Sequence, residues 1–289
     1  RIGMIVFGIG FVVVGSIFAY IAKDLPNTGE ISKRAIVEST KIYDRTGTHL
    51  LYEVHGEEKR TIIPFSDMPD VIKYATISLE DQDFYSHHGI KITSIIRSIL
   101  NDIITLEKSQ GGSTITQQFV KNSLLTNEKT LTRKIKEVIL SIEMETKFSK
   151  DEILAMYLNE IPYGSNAYGI EAAAQTFFGK PARELTLDEA ALISALPQAT
   201  AYYSPYGSHL DALVGRKDYA LRTMMKLGYI TEEQANTAIE TPTLDKILPQ
   251  KDIIAAPHFV MYIKDYLQQK YGDQAVEQGG LKVITTLDW

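Results

Sequence analysis

An uncharged apolar run near the start of the sequence restricts the fold more than any other feature. Ile2 to Ala22 contain no charged side chain, and about twenty such residues are what a helix needs to cross a bilayer. A buried core helix of this length normally carries a polar stripe, whereas a secretory signal peptide has a shorter apolar region before its cleavage site. The run therefore predicts a transmembrane helix at residues 1–23, with a signal peptide as the alternative.

The composition of the sequence is that of a globular protein. It has 289 residues, 44% of them hydrophobic and 23% charged, which is ordinary for one large or two modest globular domains. A net charge of -6 and a pI near 5.6 argue against a nucleic-acid partner. The chain has no cysteine, so it holds neither disulfides nor thiolate metal sites.

Strand patterns lie at the two ends of the sequence beyond the apolar run. Residues 41–54 alternate around Thr46-Gly47 and predict a β-hairpin, and Leu281 to Asp288 are rich in β-branched residues. We expect one small sheet to join these ends. Between them the spacing of apolar residues is mostly helical.

The segment from Glu80 to Gly89 is rich in candidate functional side chains. It has three carboxylates, two imidazoles and two aromatic rings in ten residues. Glu80 ends an apolar helical run, where partial shielding from water suits a carboxylate to general-base work. The simpler reading is a solvated helix end. A calcium loop is excluded because its Gly and its final Glu are missing, and two adjacent histidines without a cysteine make a poor zinc site.

The residues after this segment predict an amphipathic helix. Isoleucine and leucine recur at helical spacing over residues 92–104 and give one wide apolar face. We expect this face to pack on the core. Beside a membrane anchor, the alternative is that it inserts into the lipid surface.

A glycine-rich helix start follows, in the sequence GGSTITQQFVK from Gly111 to Lys121. The glycines free the backbone, Ser113 is able to cap the helix, and the first helical amides favour an anion. Gln117 and Gln118 lie four and three residues before Lys121, so two amides and an ammonium share a face. The Gly-Lys-Ser/Thr of a Walker loop is absent. A plain helix cap is the simpler interpretation.

Later helices carry charge pairs and caps. Arg133 and Glu137 are spaced as an i,i+4 ion pair, which on a surface contributes little. Capping boxes are predicted at Ser149/Glu152 and Thr186/Glu189, each before a helix. The polar and aromatic residues 159–169 are expected to form a turn between helices.

Together these segments resemble a known family. The matching motifs are Glu80-Asp81 with Phe84, His87 and Gly89, then GGSTITQQ with Lys121, RKIKE at 133–137, KDEILAMYLN at 150–159 and YGIEAAA at 168–174. In this order they resemble the peptidoglycan glycosyltransferase domain of class A penicillin-binding proteins and monofunctional transglycosylases. The resemblance implies a mainly α, lysozyme-like fold with an N-terminal transmembrane helix and a small β linker formed by the chain ends.

The resemblance also implies a reaction, in which a sugar 4-hydroxyl of lipid II displaces a polyprenyl pyrophosphate with inversion to extend a glycan strand. Glu80 would be the general base, and Glu137 a second essential carboxylate on the pyrophosphate side, acting through neighbouring cations or a divalent metal such as Mg²⁺ or Mn²⁺. The expected substrate-binding residues are Ser113, Thr114, Gln117, Gln118, Lys121, Arg133 and Lys134. Asp81 would support the turn, and His87 would be a structural hydrogen-bonding residue.

The resemblance gives an expected layout: a membrane helix at 1–23, a linker with the hairpin at 24–65, the glycosyltransferase domain at 66–245 and the start of a second linker at 246–289. Transpeptidase motifs are absent from the sequence. Residues 279–288, however, resemble the linker that leads into the transpeptidase domain of class A proteins, so we expect the front part of a longer bifunctional protein. It would sit in the cell membrane by a single pass with its catalytic domain outside, and meet lipid II, nascent glycan, the bilayer and other cell-wall synthesis proteins. A lytic transglycosylase or muramidase-type hydrolase and a non-catalytic scaffold are the alternatives.

Overall fold

The computed structural model describes residues 25, 40–54, 59–91, 112–125, 131–249, 256–272, 276 and 280–289. Over these residues the chain is mainly helical, as the sequence predicted. No helix in this part of the chain is long and apolar enough to cross a membrane. The predicted transmembrane helix at 1–23 and the amphipathic helix at 92–104 lie outside it.

The chain divides into two compact units, of which the first is Glu80–Tyr157 among the described residues. Glu80 is the last residue of helix α1 (Asp70–Glu80), and a short 3-10 turn, Phe84–Ser86, follows it. Helices α2 (Ile115–Leu124) and α3 (Leu131–Lys147) pack along each other. Helix α4 (Lys150–Glu160) begins after a capping box in which Ser149 and Glu152 bond each other's backbone amides, as predicted.

The inward face of α3 follows helical periodicity. Glu137, Leu140, Ser141 and Met144 are all buried, at the spacing i, i+3, i+4 and i+7 that lines one side of a helix. Because Glu137 occupies this stripe, its carboxylate points inward and must be satisfied by a protein partner.

The second unit comprises the described parts of Ala35–Leu79 and Leu158–Trp289. Strand β1 (Thr40–Tyr43) pairs antiparallel with β2 (Leu50–Val54) and parallel with β6 (Lys282–Ile284). The strands expected at the two ends of the sequence therefore do meet in one sheet. Helix α9 (Pro257–Tyr271) packs on this sheet through a buried apolar cluster that includes Ile42, Leu51, Val260 and Leu267.

A second small sheet corrects the expectation of a simple turn at residues 159–169. Strands β4 (Pro162–Gly164) and β5 (Ala167–Tyr168) form a hairpin, and β3 (Lys59–Arg60) pairs parallel with β5. The two residues of the hairpin turn, Ser165 and Asn166, have φ of 52° and 58°, which is the geometry of tight hairpin turns. Strands of two and three residues are too short for an alternating pattern to reveal them.

The remaining helices of this unit are α5 (Ile170–Phe178), α6 (Leu187–Ser194), α7 (Leu210–Lys226) and α8 (Glu232–Glu240). The predicted capping box of Thr186 and Glu189 starts α6. Alanines on three helices, Ala75, Ala191 and Ala220, share one buried cluster with Leu221 and Met224 of α7. Small side chains at these positions allow the helix backbones to approach closely.

Candidate active site

The carboxylate of Glu80 is half-buried and held by a neighbouring amide. Gln118 on α2 donates a hydrogen bond from Nε2 to Oε2 of Glu80, at 2.8 Å. Because α2 begins at Ile115, Gln118 lies just beyond its first turn, on the side of the helix that Glu80 reaches. A neutral donor of this kind fixes the orientation of the carboxylate without cancelling its charge.

Gln118 is itself oriented by a residue that the sequence did not indicate. The hydroxyl of Tyr157, on α4, donates to Oε1 of Gln118 at 3.1 Å. The side chain of Tyr157 is fully buried. Tyr157 falls at apolar helical spacing with Ile153 and Leu154, so the pattern predicted only a core position. Its distance in sequence from Gln118 left no local signal of the contact.

Asp81 anchors the turn after Glu80. Its Oδ2 accepts hydrogen bonds from Nε2 of His87 at 2.8 Å and from the backbone amide of Ile115 at 3.1 Å, and Lys91 lies 2.6 Å from its Oδ1. Burial raises the pKa of Asp81, but the bonds from His87 and Lys91 outweigh burial and hold that pKa below its ordinary value. Asp81 therefore lies where it supports the turn, and His87 forms a structural hydrogen bond with it, as the resemblance implied.

The first amide of α2 is therefore already occupied by an anion. The sequence left an anion site at the start of this helix as the alternative to a plain cap, and the carboxylate of Asp81 fills the position in front of Ile115. A correction concerns the cap. Thr114, rather than Ser113, is the N-cap, and it forms a capping box with Gln117.

Thr114 and Gln117 are buried rather than open to a cleft. The hydroxyl of Thr114 accepts from the amide of Gln117 at 3.1 Å and donates to the carbonyl of Gly89 at 2.6 Å. Gly89 has φ of +83°, and a Cβ atom there would lie 2.6 Å from the carbonyl oxygen of Ser141 on α3. These contacts fix the loop before α2 between the Glu80 turn and α3. Substrate binding by Thr114 and Gln117 stays a prediction.

The buried carboxylate of Glu137 pairs with Lys134, one turn earlier on α3. Lys134 also donates from Nζ to the hydroxyl of Ser113, at 3.2 Å, so one ammonium ties α3 to the loop before α2. The side chain of Lys134 is 43% exposed, and that of Glu137 is 3% exposed. The sequence spacing had indicated Arg133 as a partner of Glu137, and the structure shows an ion pair between Lys134 and Glu137.

The other two predicted cations lie at different depths. Arg133 is half-buried, whereas Lys121, in the last turn of α2, is exposed. The exposure of Lys121 leaves its ammonium accessible to an anionic ligand.

The described residues do not fit a protein-held divalent cation at Glu137. Its carboxylate is already bound by the Lys134 ammonium, and no group of three or more acidic or histidine side chains in the described ranges is placed to hold a metal. The Mg²⁺ or Mn²⁺ ion therefore stays a prediction for which the described part of the chain supplies no ligand set.

The sequence matches a known protein family. The family model described as transglycosylase matches residues 47–225. That match covers more than half of the chain and includes every residue of the candidate site. The chain therefore belongs to the transglycosylase family.

The relatives it matches are penicillin-binding proteins. Penicillin-binding protein 1A of Aquifex aeolicus is 40% identical over 268 residues, which are 93% of this chain and 36% of that protein. Penicillin-binding protein 1A/1B of Bacillus subtilis is 39% identical over 291 residues, 99% of this chain and 31% of that one. A crystal structure of penicillin-binding protein 1A from Haemophilus influenzae matches 85% of the chain and 26% of its own, with 23% identity and a TM-score of 0.49. The chain spans about a third of the length of the curated relatives it matches.

Proposed function

We propose that this chain polymerises lipid II into the glycan strands of peptidoglycan. The 4-hydroxyl of one disaccharide attacks the anomeric carbon of a second sugar, which is α-linked to polyprenyl pyrophosphate. The new β-1,4 bond forms as the pyrophosphate leaves, so the anomeric centre is inverted. A base must take the hydroxyl proton, and cations must stabilise the charge that develops on the leaving group.

The observation that carries the proposal is the hydrogen bond from Gln118 to Glu80 at the end of α1. It holds the carboxylate in one orientation, as a general base requires.

The cations of the same unit suit a pyrophosphate leaving group. Lys121 is exposed and Lys134 is partly exposed, so both are accessible to an anion, and Arg133 adds a third positive charge. A glycan hydrolase expels a sugar oxygen and has no need of such a set. Lys134 is also bonded to Glu137 and Ser113, which fix the position of its ammonium. A pyrophosphate would therefore bind to an ammonium that is already in place.

We infer the setting of the whole protein from the same reaction. A polyprenyl pyrophosphate substrate resides in the bilayer, which agrees with a single-pass anchor at residues 1–23 and a catalytic domain on the extracytoplasmic side of the cell membrane. The growing glycan strand would be the second substrate. Other cell-wall synthesis proteins are its expected partners.

Polymerisation of labelled lipid II by the detergent-solubilised chain tests the proposal, with Glu80→Gln as the diagnostic variant. The substitution keeps the size of the side chain but removes the base, so we expect a loss of roughly 10²- to 10⁴-fold in rate. Glu184→Gln is the control, since Glu184 is an exposed carboxylate beside Arg183 and should leave the rate unchanged. Cleavage of preformed glycan with no polymer formed would favour the hydrolase. Binding without either reaction would favour the scaffold.

A further inference from the structure

We propose that Tyr157 is a positioning residue for the base. Its hydroxyl fixes the amide of Gln118, and that amide fixes the carboxylate of Glu80. The proposal rests on the proposed function, since it takes Glu80 as the group that receives the proton. Tyr157 itself would touch neither the substrate nor the reacting atoms.

Two hydrogen bonds in series carry the proposal. The phenolic oxygen of Tyr157 lies 3.1 Å from Oε1 of Gln118, and Nε2 of Gln118 lies 2.8 Å from Oε2 of Glu80. The three residues come from three different helices of the chain, α4, α2 and α1. The series therefore joins the base to a helix that begins seventy residues later in the sequence.

The position of the hydroxyl is set by packing. The side chain of Tyr157 is fully buried, as are those of Ile153 and Leu154 one turn earlier on α4. Side chains in such an interior occupy one rotamer, so the phenolic oxygen returns to the same point in every molecule. By contrast, Gln118 is only half-buried and has three rotatable bonds before its amide.

The chemistry of the amide explains why a hydroxyl is needed at this point. A glutamine amide has an acceptor oxygen on one side and a donor nitrogen on the other, and half a turn about its last bond exchanges them. The Tyr157 hydroxyl donates to the oxygen, which leaves the nitrogen to face Glu80. Without that donor the amide is held only at its nitrogen, so its side chain is less restrained and turns away from the carboxylate more readily. Glu80 would then lose both its donor and its fixed orientation.

Tyr157→Phe removes the hydroxyl and keeps the buried ring. A net hydrogen bond of ordinary strength corresponds to roughly a 2- to 12-fold effect, so we expect kcat for lipid II to fall by about that factor. KM should stay within about twofold, because the substrate contacts are intact. Gln118→Leu removes the donor altogether and should lower kcat at least as much. In the Gln118→Leu background, Tyr157→Phe should have no further effect, since the two residues act in series.

Tyr85→Phe is the matched control. The Tyr85 hydroxyl donates to Asp151 at 2.9 Å in the same unit, but this bond is exposed and includes neither Gln118 nor Glu80. We expect its kcat and KM to equal those of the wild type. The melting temperature of each variant, measured by circular dichroism, separates a loss of positioning from a loss of folded protein.

The outcomes are distinct. An active wild type with an unchanged kcat in Tyr157→Phe would overturn this inference and leave the proposed function standing. Effects of Tyr157→Phe and Gln118→Leu that multiply in the double variant would also overturn it, because two independent residues behave in that way. A loss of activity that only follows a loss of folded protein would assign Tyr157 a structural role. A wild type inert toward lipid II would refute the proposed function and this inference with it.

Discussion

Replacement of Asp81 by Asn tests how the turn after Glu80 is held. The change removes a charge from a carboxylate whose side chain is fully buried, which accepts from His87 and the amide of Ile115 and pairs with Lys91. Removal of one partner from a buried ion pair costs about 3–5 kcal/mol. We expect the lower end, about 3 kcal/mol, because an asparagine oxygen is still able to accept from Ile115 and Lys91 keeps Asp83.

For a chain of this size, that loss corresponds to a fall of roughly 6–12 °C in Tm. Asp83→Asn is the matched control, since Asp83 pairs with the same lysine at 3.2 Å but is 73% exposed. An exposed pair contributes at most about 1 kcal/mol, so its Tm should change by no more than a few degrees. Thermal unfolding followed by circular dichroism measures both. Equal shifts in the two variants would refute the assignment of Asp81 as the buried anchor.

The stability difference between the wild type and Asp81→Asn should also depend on pH. The pKa of Asp81 in the folded chain lies below its ordinary value of 3.8. A carboxylate with a lowered pKa in the folded chain stabilises the fold at pH values above its ordinary pKa. That contribution is lost as the pH falls through the folded pKa. The difference in stability between wild type and Asp81→Asn should therefore be full at pH 6 and shrink below about pH 4. A difference that grew on acidification would contradict the sign of this linkage.

Two further substitutions test packing. Gly89→Ala should lower both Tm and the rate of lipid II polymerisation, because its Cβ would meet the Ser141 carbonyl at 2.6 Å, whereas Gly228→Ala, at a similar φ of +77° with open space around it, should cost only the left-handed backbone conformation, about 1–2 kcal/mol. Equal losses would show that the contact with α3 is unimportant. Lys217→Met should destabilise the chain by about 1–3 kcal/mol without lowering kcat, since the buried Lys217 ammonium donates to the carbonyls that end α8 and lies outside the candidate site. A fall in kcat with unchanged Tm would contradict that reading.

The sequence predicted those parts of the fold that rest on local pattern. Capping boxes at Ser149 and Thr186 follow from residues three apart, and both occur. The sheet between the chain ends followed from β-branched runs, since each exposed strand edge needs a partner. The hairpin at residues 162–168 escaped prediction because its strands hold only two or three residues and include Pro162 and Gly164, which weaken any strand signal.

The contacts in the candidate site that join residues distant in sequence could not be predicted from local pattern. Helical spacing indicated Arg133 for Glu137, and it gave no sign of the bonds that Lys134 makes with Glu137 and with the distant Ser113. The start of α2 left an anion site open as an alternative because nothing nearby in sequence supplies its anion. Asp81, which does, lies thirty-four residues earlier than Ile115. Tyr157 was invisible for the same reason, since a hydroxyl that bonds across helices has the spacing of a core residue.

The most direct test of the central claim is the polymerisation of labelled lipid II by the wild-type chain beside Glu80→Gln, read as the length of the glycan formed. We expect long glycan from the wild type, a rate of glycan formation lower by roughly 10²- to 10⁴-fold from Glu80→Gln, and the same Tm for both proteins. Polymer from Glu80→Gln at the wild-type rate would contradict the assignment of Glu80 as the base.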